Sequence, residues 1–208
     1  MTQLIYIMDP LCGWCYGNSH NITALFESHR TGFNFKIIPA GMWAGANTRM
    51  QSPQMAAYFK KHDQQISRLT GTVFGEAYFS FIEQHPVQLD SEIPSRAIIT
   101  VQELWPQQNV NFMVAVQQAR YLHGKDLNPQ DTYKVICSGL NIDPEAFTNA
   151  FNTREMHLKT LASFNQALQY ASSYPTLLLE KEGKLYLIEQ GYASLKDIEE
   201  KITSLIGH

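Results

Sequence analysis

Two cysteines three residues apart, in the stretch Cys12-Gly13-Trp14-Cys15, offer the most chemistry of any residues in this sequence. Such a pair can close a small disulfide and reopen it by thiol exchange, or it can supply half of a four-ligand zinc site. The zinc reading needs two more ligands. The only other cysteine, Cys137, stands alone between Ile136 and Ser138 with no second ligand motif around it. Redox chemistry is therefore expected, and Cys137 is expected to be a packed core thiol. An apolar, β-prone run from Leu4 to Met8 precedes the pair, and Ser19 to His29 behind it has helical spacing, with Ile22, Leu25 and Phe26 on one face. The thiols thus sit where a strand hands over to a helix. Unpaired N–H groups and a partial positive charge at such a helix start favour thiolate at the first cysteine. Cys12 is expected to be the nucleophile and Cys15, one turn further on and more buried, the resolving thiol.

Other residues near the pair have two readings each. Asp9, at the end of the first strand, could cap the turn with Pro10, or it could accept the proton that Cys15 must lose when it resolves a mixed disulfide. Lys36 on the second strand would favour thiolate if it pointed under the site, although exposure at a strand edge is the simpler expectation. Met42 and Trp43, with Trp14 and Tyr174, could form an apolar surface that holds unfolded polypeptide, or Met42 and Trp43 could seat a helical block against the sheet. Seven histidines show no ligand spacing, and only His20 falls near the site. No metal is expected.

The elements that must position these residues follow from the rest of the chain. Phe33 to Ile38 reads as a buried parallel strand, which makes residues 4 to 38 a βαβ unit. From Ser52 the pattern is helical for more than a hundred residues. The Ser52-Pro53 pair starts one helix, Pro86 ends another, Ser95 to Leu104 and Val110 to Leu122 follow, and Asp131 to Leu140 and Asp143 to about Phe151 come next. Thr153 to Ala171 completes the block as a long helix. The tail returns to β character, with Thr176 to Glu180, a four-residue turn at 181–184, and Leu185 to Glu189 as the antiparallel partner. Ser194 then caps a last helix carrying Leu195, Ile198, Ile202 and Leu205. The order is βαβ, helices, ββα, and the outer parts should share one mixed sheet. The expected division is 1–40 and 172–208 as the two halves of that α/β unit, with 41–171 as an all-helical insertion.

Composition sets limits. At 208 residues, with 44% apolar and 17% charged residues, the chain can bury a core without disulfide bridges. A net charge of −3 gives no basic footprint, so nucleic-acid binding is not expected. No run of eighteen apolar residues exists, so no membrane span is expected either. Met1 running straight into a strand, with no signal peptide visible, favours a cytoplasmic address, although removal of an export signal would leave a similar start.

The strand leading into Cys12-Gly13-Trp14-Cys15, the helical insertion, and the ββα end entered through Ser173-Tyr174-Pro175-Thr176 resemble the thioredoxin fold in its DsbA-like form. Ser95-Arg96-Ala97, at the start of an insertion helix, is a weaker point of likeness. Within that superfamily the chain is similar to the FrnE-like branch of protein-disulfide isomerases, with 2-hydroxychromene-2-carboxylate isomerases and kappa-class glutathione transferases as more distant relatives. The resemblance implies a cis Pro175 facing the cysteines and a Tyr174 backbone that pairs with an extended substrate, with Trp14 and Thr176 also in the substrate site. It implies a thiol-disulfide oxidoreductase with no cofactor beyond its own disulfide. Glutathione would be a candidate recycling thiol, and proteins with disulfides or thiols would be the partners. Gly13-Trp14 differs from the dipeptides of DsbA and of thioredoxin, so the potential does not carry over. A glutathione-dependent isomerase or transferase acting on a small molecule, and a non-catalytic chaperone, are the alternatives.

Overall fold

The computed structural model describes residues 2–29, 32–84 and 87–207. A continuous apolar run makes β1 (Gln3–Met8), which pairs in parallel with β2 (Asn34–Pro39) and antiparallel with β5 (Thr176–Lys181). The antiparallel β6 (Lys184–Gln190) completes a four-stranded sheet in the order β2-β1-β5-β6. This is the mixed sheet expected of βαβ and ββα halves. β1 is buried on both faces, which explains why it does not alternate. Leu4, Tyr6 and Met8 face one core, shared with Ile22, Leu25, Phe112 and Phe147. Ile5 and Ile7 face the other, with Ile38, Leu178 and Ala167.

The thiols occupy a helix of their own. α1 (Gly13–Gly17) stops at Asn18, and α2 (Ser19–His29) starts afresh beyond it, so the helix read from Ser19 does not carry Cys15. Between β2 and β5 the chain forms α3 (Pro53–Thr70), α4 (Glu76–Gln84), α5 (Glu92–Leu104), α6 (Asn109–Tyr121), α7 (Asp131–Gly139), α8 (Pro144–Phe151) and α9 (Arg154–Tyr170). Side-chain caps fix several starts: Ser52, Asp143 and Thr153 accept N–H groups of the first turns of α3, α8 and α9. α5 begins before Ser95 and runs through Pro94, because a proline in the first turn lacks only an N–H that would be unpaired there anyway. The helix end expected at Pro86 lies outside the described residues.

Two details depart from the sequence reading. Arg49–Met50 (β3) and Gln88–Leu89 (β4) form a two-residue antiparallel ladder within the helical region, too short to leave a pattern. The β5–β6 turn also closes over two residues. Lys181 and Lys184 still pair in the ladder, while Glu182 and Gly183 both take positive φ, as the tight hairpin turn requires. α10 (Leu195–Ile206), capped by Ser194, returns Ile198 and Ile202 to the core.

The outer edge of β2 is occupied by amides. Ile37 N–H donates to Gln102 Oε1 at 2.7 Å, Gln102 Nε2 donates back to Ile37 O at 3.1 Å, and Asn109 Nδ2 donates to Phe35 O at 2.9 Å. No helix among the described residues is long and apolar enough to cross a membrane.

Candidate active site

β1 ends at Met8, and the chain turns at once from Asp9. Leu11 N–H donates to Asp9 Oδ1 at 2.8 Å and Cys12 N–H donates to Asp9 O at 3.1 Å, closing the turn that delivers Cys12 to the start of α1. Cys12 is the N-cap residue, extended at φ −96°, and 8% exposed. Cys15, inside α1, is fully buried, and neither thiol is bonded to another. Burial and the neighbouring Cys12 thiol push the Cys15 thiol well up from its ordinary value, while the Asp9 backbone favours its thiolate.

Far along the chain, the segment before β5 comes back to Cys12. The Tyr174-Pro175 bond is cis, and Cys12 Sγ donates to Tyr174 O at 3.8 Å. Pro175 O accepts Gly191 N–H at 2.8 Å, and Thr176 Oγ1 donates to Ser173 O at 2.8 Å, so the segment is held from both sides. Trp14 stands between two hollows: a shallow one formed with Ser173, Tyr174 and Tyr192, and a cleft of about 580 Å³ that Cys12 also lines.

The Asp9 carboxyl is buried and fully engaged. Its Oδ2 accepts Met42 N–H at 2.6 Å, and its Oδ1 also accepts Ser91 Oγ at 3.0 Å. Burial raises its pKa, against these hydrogen bonds, and the carboxyl is close enough to Cys15 to raise the thiol's pKa in turn. Both readings of Asp9 thus fit one position. Met42 and Trp43 line the cleft, and Met42 also packs on the core, so for Met42 the two readings are not exclusive. The Arg49 guanidinium lies 4.9 Å from the Trp43 ring. Lys36 Nζ donates to Gln166 Oε1 at 3.2 Å on the β2 side and does not line the cleft. His20 is exposed beside Thr72 Oγ1 at 3.2 Å and does not line it either. Cys137 lies buried in the main core, where burial pushes its thiol up to about 12.

No family model and no curated protein matches the chain. Among solved structures, a candidate protein disulfide isomerase from Nitrosomonas europaea is 25% identical, with a TM-score of 0.87 over 99% of this chain and 98% of that one. The cytosolic disulfide reductase DsbM from Pseudomonas aeruginosa is 26% identical, with a TM-score of 0.83 over 99% and 98%. The chain belongs to the DsbA-like thioredoxin superfamily. DsbM has also been solved with GSH, at 24% identity, a TM-score of 0.80 and coverage of 99% and 100%. A 2-hydroxychromene-2-carboxylate isomerase, 13% identical over 98% of this chain and 94% of that one, shares the fold at a TM-score of 0.64.

Against this DsbA-like frame, two polar groups around α1 went unread in the sequence. Asp63 of α3 is 5% exposed, lines the cleft, and accepts the Tyr78 hydroxyl at 2.7 Å. Ala56, Phe59, Asp63 and Ile66 share one face of α3, so a carboxyl on an apolar stripe was the available signal. Behind α1, Glu189 is 2% exposed and accepts Asn18 Nδ2 at 2.8 Å and Ala193 N–H at 2.9 Å. Burial lifts Glu189 to about 7, although both hydrogen bonds pull it down. Alternation would put Glu189 outside with Leu185 and Leu187. A bulge at Ile188, where Leu177 pairs with Glu189 but Leu178 pairs with Leu187, turns it inward.

Proposed function

We propose that the chain is a thiol-disulfide oxidoreductase acting through Cys12 and Cys15. The observation that carries this is the meeting of a reachable Cys12 with the Tyr174 carbonyl while Cys15 is sealed behind it. In reduction, the Cys12 thiolate attacks one sulfur of a substrate disulfide, and the other sulfur leaves as a thiol after taking a proton. Cys15, losing its proton to Asp9, then attacks Cys12 Sγ, which releases the second substrate thiol and leaves a Cys12–Cys15 disulfide. Two molecules of a small thiol restore the dithiol and leave as one disulfide. Glutathione is the thiol proposed, supported by the DsbM structure solved with GSH.

Tyr174 and Pro175 orient an extended substrate by main-chain pairing, and Trp14 and Thr176 frame it. Proteins with disulfides are the proposed substrates, and the cytoplasm is the proposed address, supported by the likeness to a cytosolic reductase. The FrnE-like branch is the proposed place within the superfamily. A second reading, glutathione-dependent isomerisation of a small molecule, draws on the cleft beside Cys12 and on the shared fold of the isomerase.

Insulin reduction with glutathione as reductant tests the first reading. Cys12→Ser should abolish turnover, and Cys15→Ser should accumulate a mixed disulfide visible by mass spectrometry. Full turnover by the Cys12 variant would exclude this mechanism, and absence of any Cys12–Cys15 disulfide across the glutathione redox range would favour the isomerase.

A further inference from the structure

α3 lays a carboxyl directly against the backbone beside the nucleophile. A Cβ built on Gly13 would stand 2.3 Å from Asp63 Oδ1, and one on Gly17 would stand 2.5 Å from Ile66 Cγ2, so α1 meets α3 through two glycines one turn apart. Asp63 Oδ2 is held by the Tyr78 hydroxyl of α4. Arg120 of α6, 3% exposed, has its guanidinium carbon 5.7 Å from the rings of both Tyr78 and Tyr121, and its Nε has no hydrogen-bond partner among the described residues. Cys12, Asp63 and Arg120 all line one cleft, and all three act electrostatically on the Tyr121 hydroxyl.

We propose that Asp63 is a positioning residue for the redox pair: its carboxylate offsets the buried Arg120 charge in the cleft that Cys12 also lines, and holds the Cys12–Cys15 couple more reducing than Arg120 alone would. The inference rests on the oxidoreductase reading. Reduction of the disulfide takes up two electrons and two protons, and any negative charge left at Cys12 is stabilised by a nearby cation and destabilised by a nearby anion. Asp63 meets the Tyr78 hydroxyl of α4 and the Gly13 backbone of α1, and the other titratable or charged groups lining the same cleft are Cys12, Arg49, Tyr58, His62, Arg120 and Tyr121. Burial lifts Asp63 to about 6, while Tyr78 and Arg120 pull it down. Below that pH the carboxyl is neutral and the Arg120 charge acts on Cys12 unopposed.

The experiment compares wild type, Asp63→Asn and Tyr78→Phe in two measurements: the redox midpoint in glutathione buffers at pH 7, and the rate of Cys12 alkylation by iodoacetamide against pH. Asp63→Asn should shift the equilibrium about tenfold toward the dithiol, which is about 30 mV less negative. It should also remove an inflection near pH 6 from the alkylation profile. Tyr78→Phe keeps the carboxyl but loses its donor, so the inflection should move to higher pH. That variant carries the test if Asp63→Asn does not fold. A wild-type couple whose midpoint and profile are unmoved by both substitutions overturns the inference and leaves the oxidoreductase reading intact. A wild type with no Cys12–Cys15 couple overturns both.

Discussion

Glu189 should make the protein less stable as pH rises from about 4.5 to about 7. The carboxyl is buried behind α1, where burial lifts it to about 7 from an ordinary 4.5. In that window the folded chain holds a proton that the unfolded chain has released. Stability therefore falls with rising pH and levels off above the folded value. At about 1.4 kcal/mol for each pH unit, the loss attributable to this one group is about 3 kcal/mol. Glu189→Gln isolates it. The amide oxygen can still accept Ala193 N–H, while the amide nitrogen meets Asn18 Nδ2, donor against donor, at a cost of about 1–3 kcal/mol that does not vary with pH. The slope against pH is therefore the quantity to compare. Asp63, raised in the same direction, contributes equally to both proteins and cancels in the difference. Urea unfolding followed by circular dichroism from pH 4.5 to 8 gives both slopes. Wild type should lose about 3 kcal/mol more than Glu189→Gln across the window. Parallel slopes would refute the assignment of a proton to buried Glu189.

Gly13→Ala should destabilise the fold. Its Cβ would meet Oδ1 of the Asp63 carboxyl, whose other oxygen is held by Tyr78, and the overpacking cost of about 1–3 kcal/mol exceeds a helix-propensity gain of at most about 1 kcal/mol. Urea midpoints check this. Ser91→Ala removes a donor from buried Asp9 and the acceptor of Trp43 N–H, and should cost about 1–3 kcal/mol in the same assay. In the reduced native protein, a thiol-reactive dye should label Cys12 rapidly, and Cys15 and Cys137 only on unfolding. Mass spectrometry of the labelled peptides reads out which thiol reacted.

The parts of the fold that rest on local chemistry were legible. β1 declared itself by an unbroken apolar run, α3 by Ser52-Pro53, the hairpin by the Glu182-Gly183 region, and the thiol pair by its spacing. What stayed hidden depends on how distant elements meet. Asp63 matters because α3 crosses α1 at Gly13, and Gly13 looked only like part of a redox dipeptide. Glu189 faces inward because of a one-residue bulge that leaves no mark in the alternation of β6. The break at Asn18 was missed for a similar reason: its carboxamide is committed to Glu189, 171 positions away, and to Asn21.

The amides of Gln102 and Asn109 along β2 have a consequence for a protein whose proposed substrates are extended segments of other proteins. An open strand edge is a template onto which any extended segment can add. Here Gln102 imitates a neighbouring strand at Ile37, giving and taking one hydrogen bond as a backbone would, and Asn109 occupies the carbonyl two residues earlier. Ser163 Oγ donates to Pro39 O two residues beyond Ile37, so that side of the sheet is closed to clients by side chains instead of by another strand. Replacing Gln102 and Asn109 with alanine would open a sticky edge remote from Cys12, and the fault would show as co-aggregation with substrate while the thiol chemistry stayed intact.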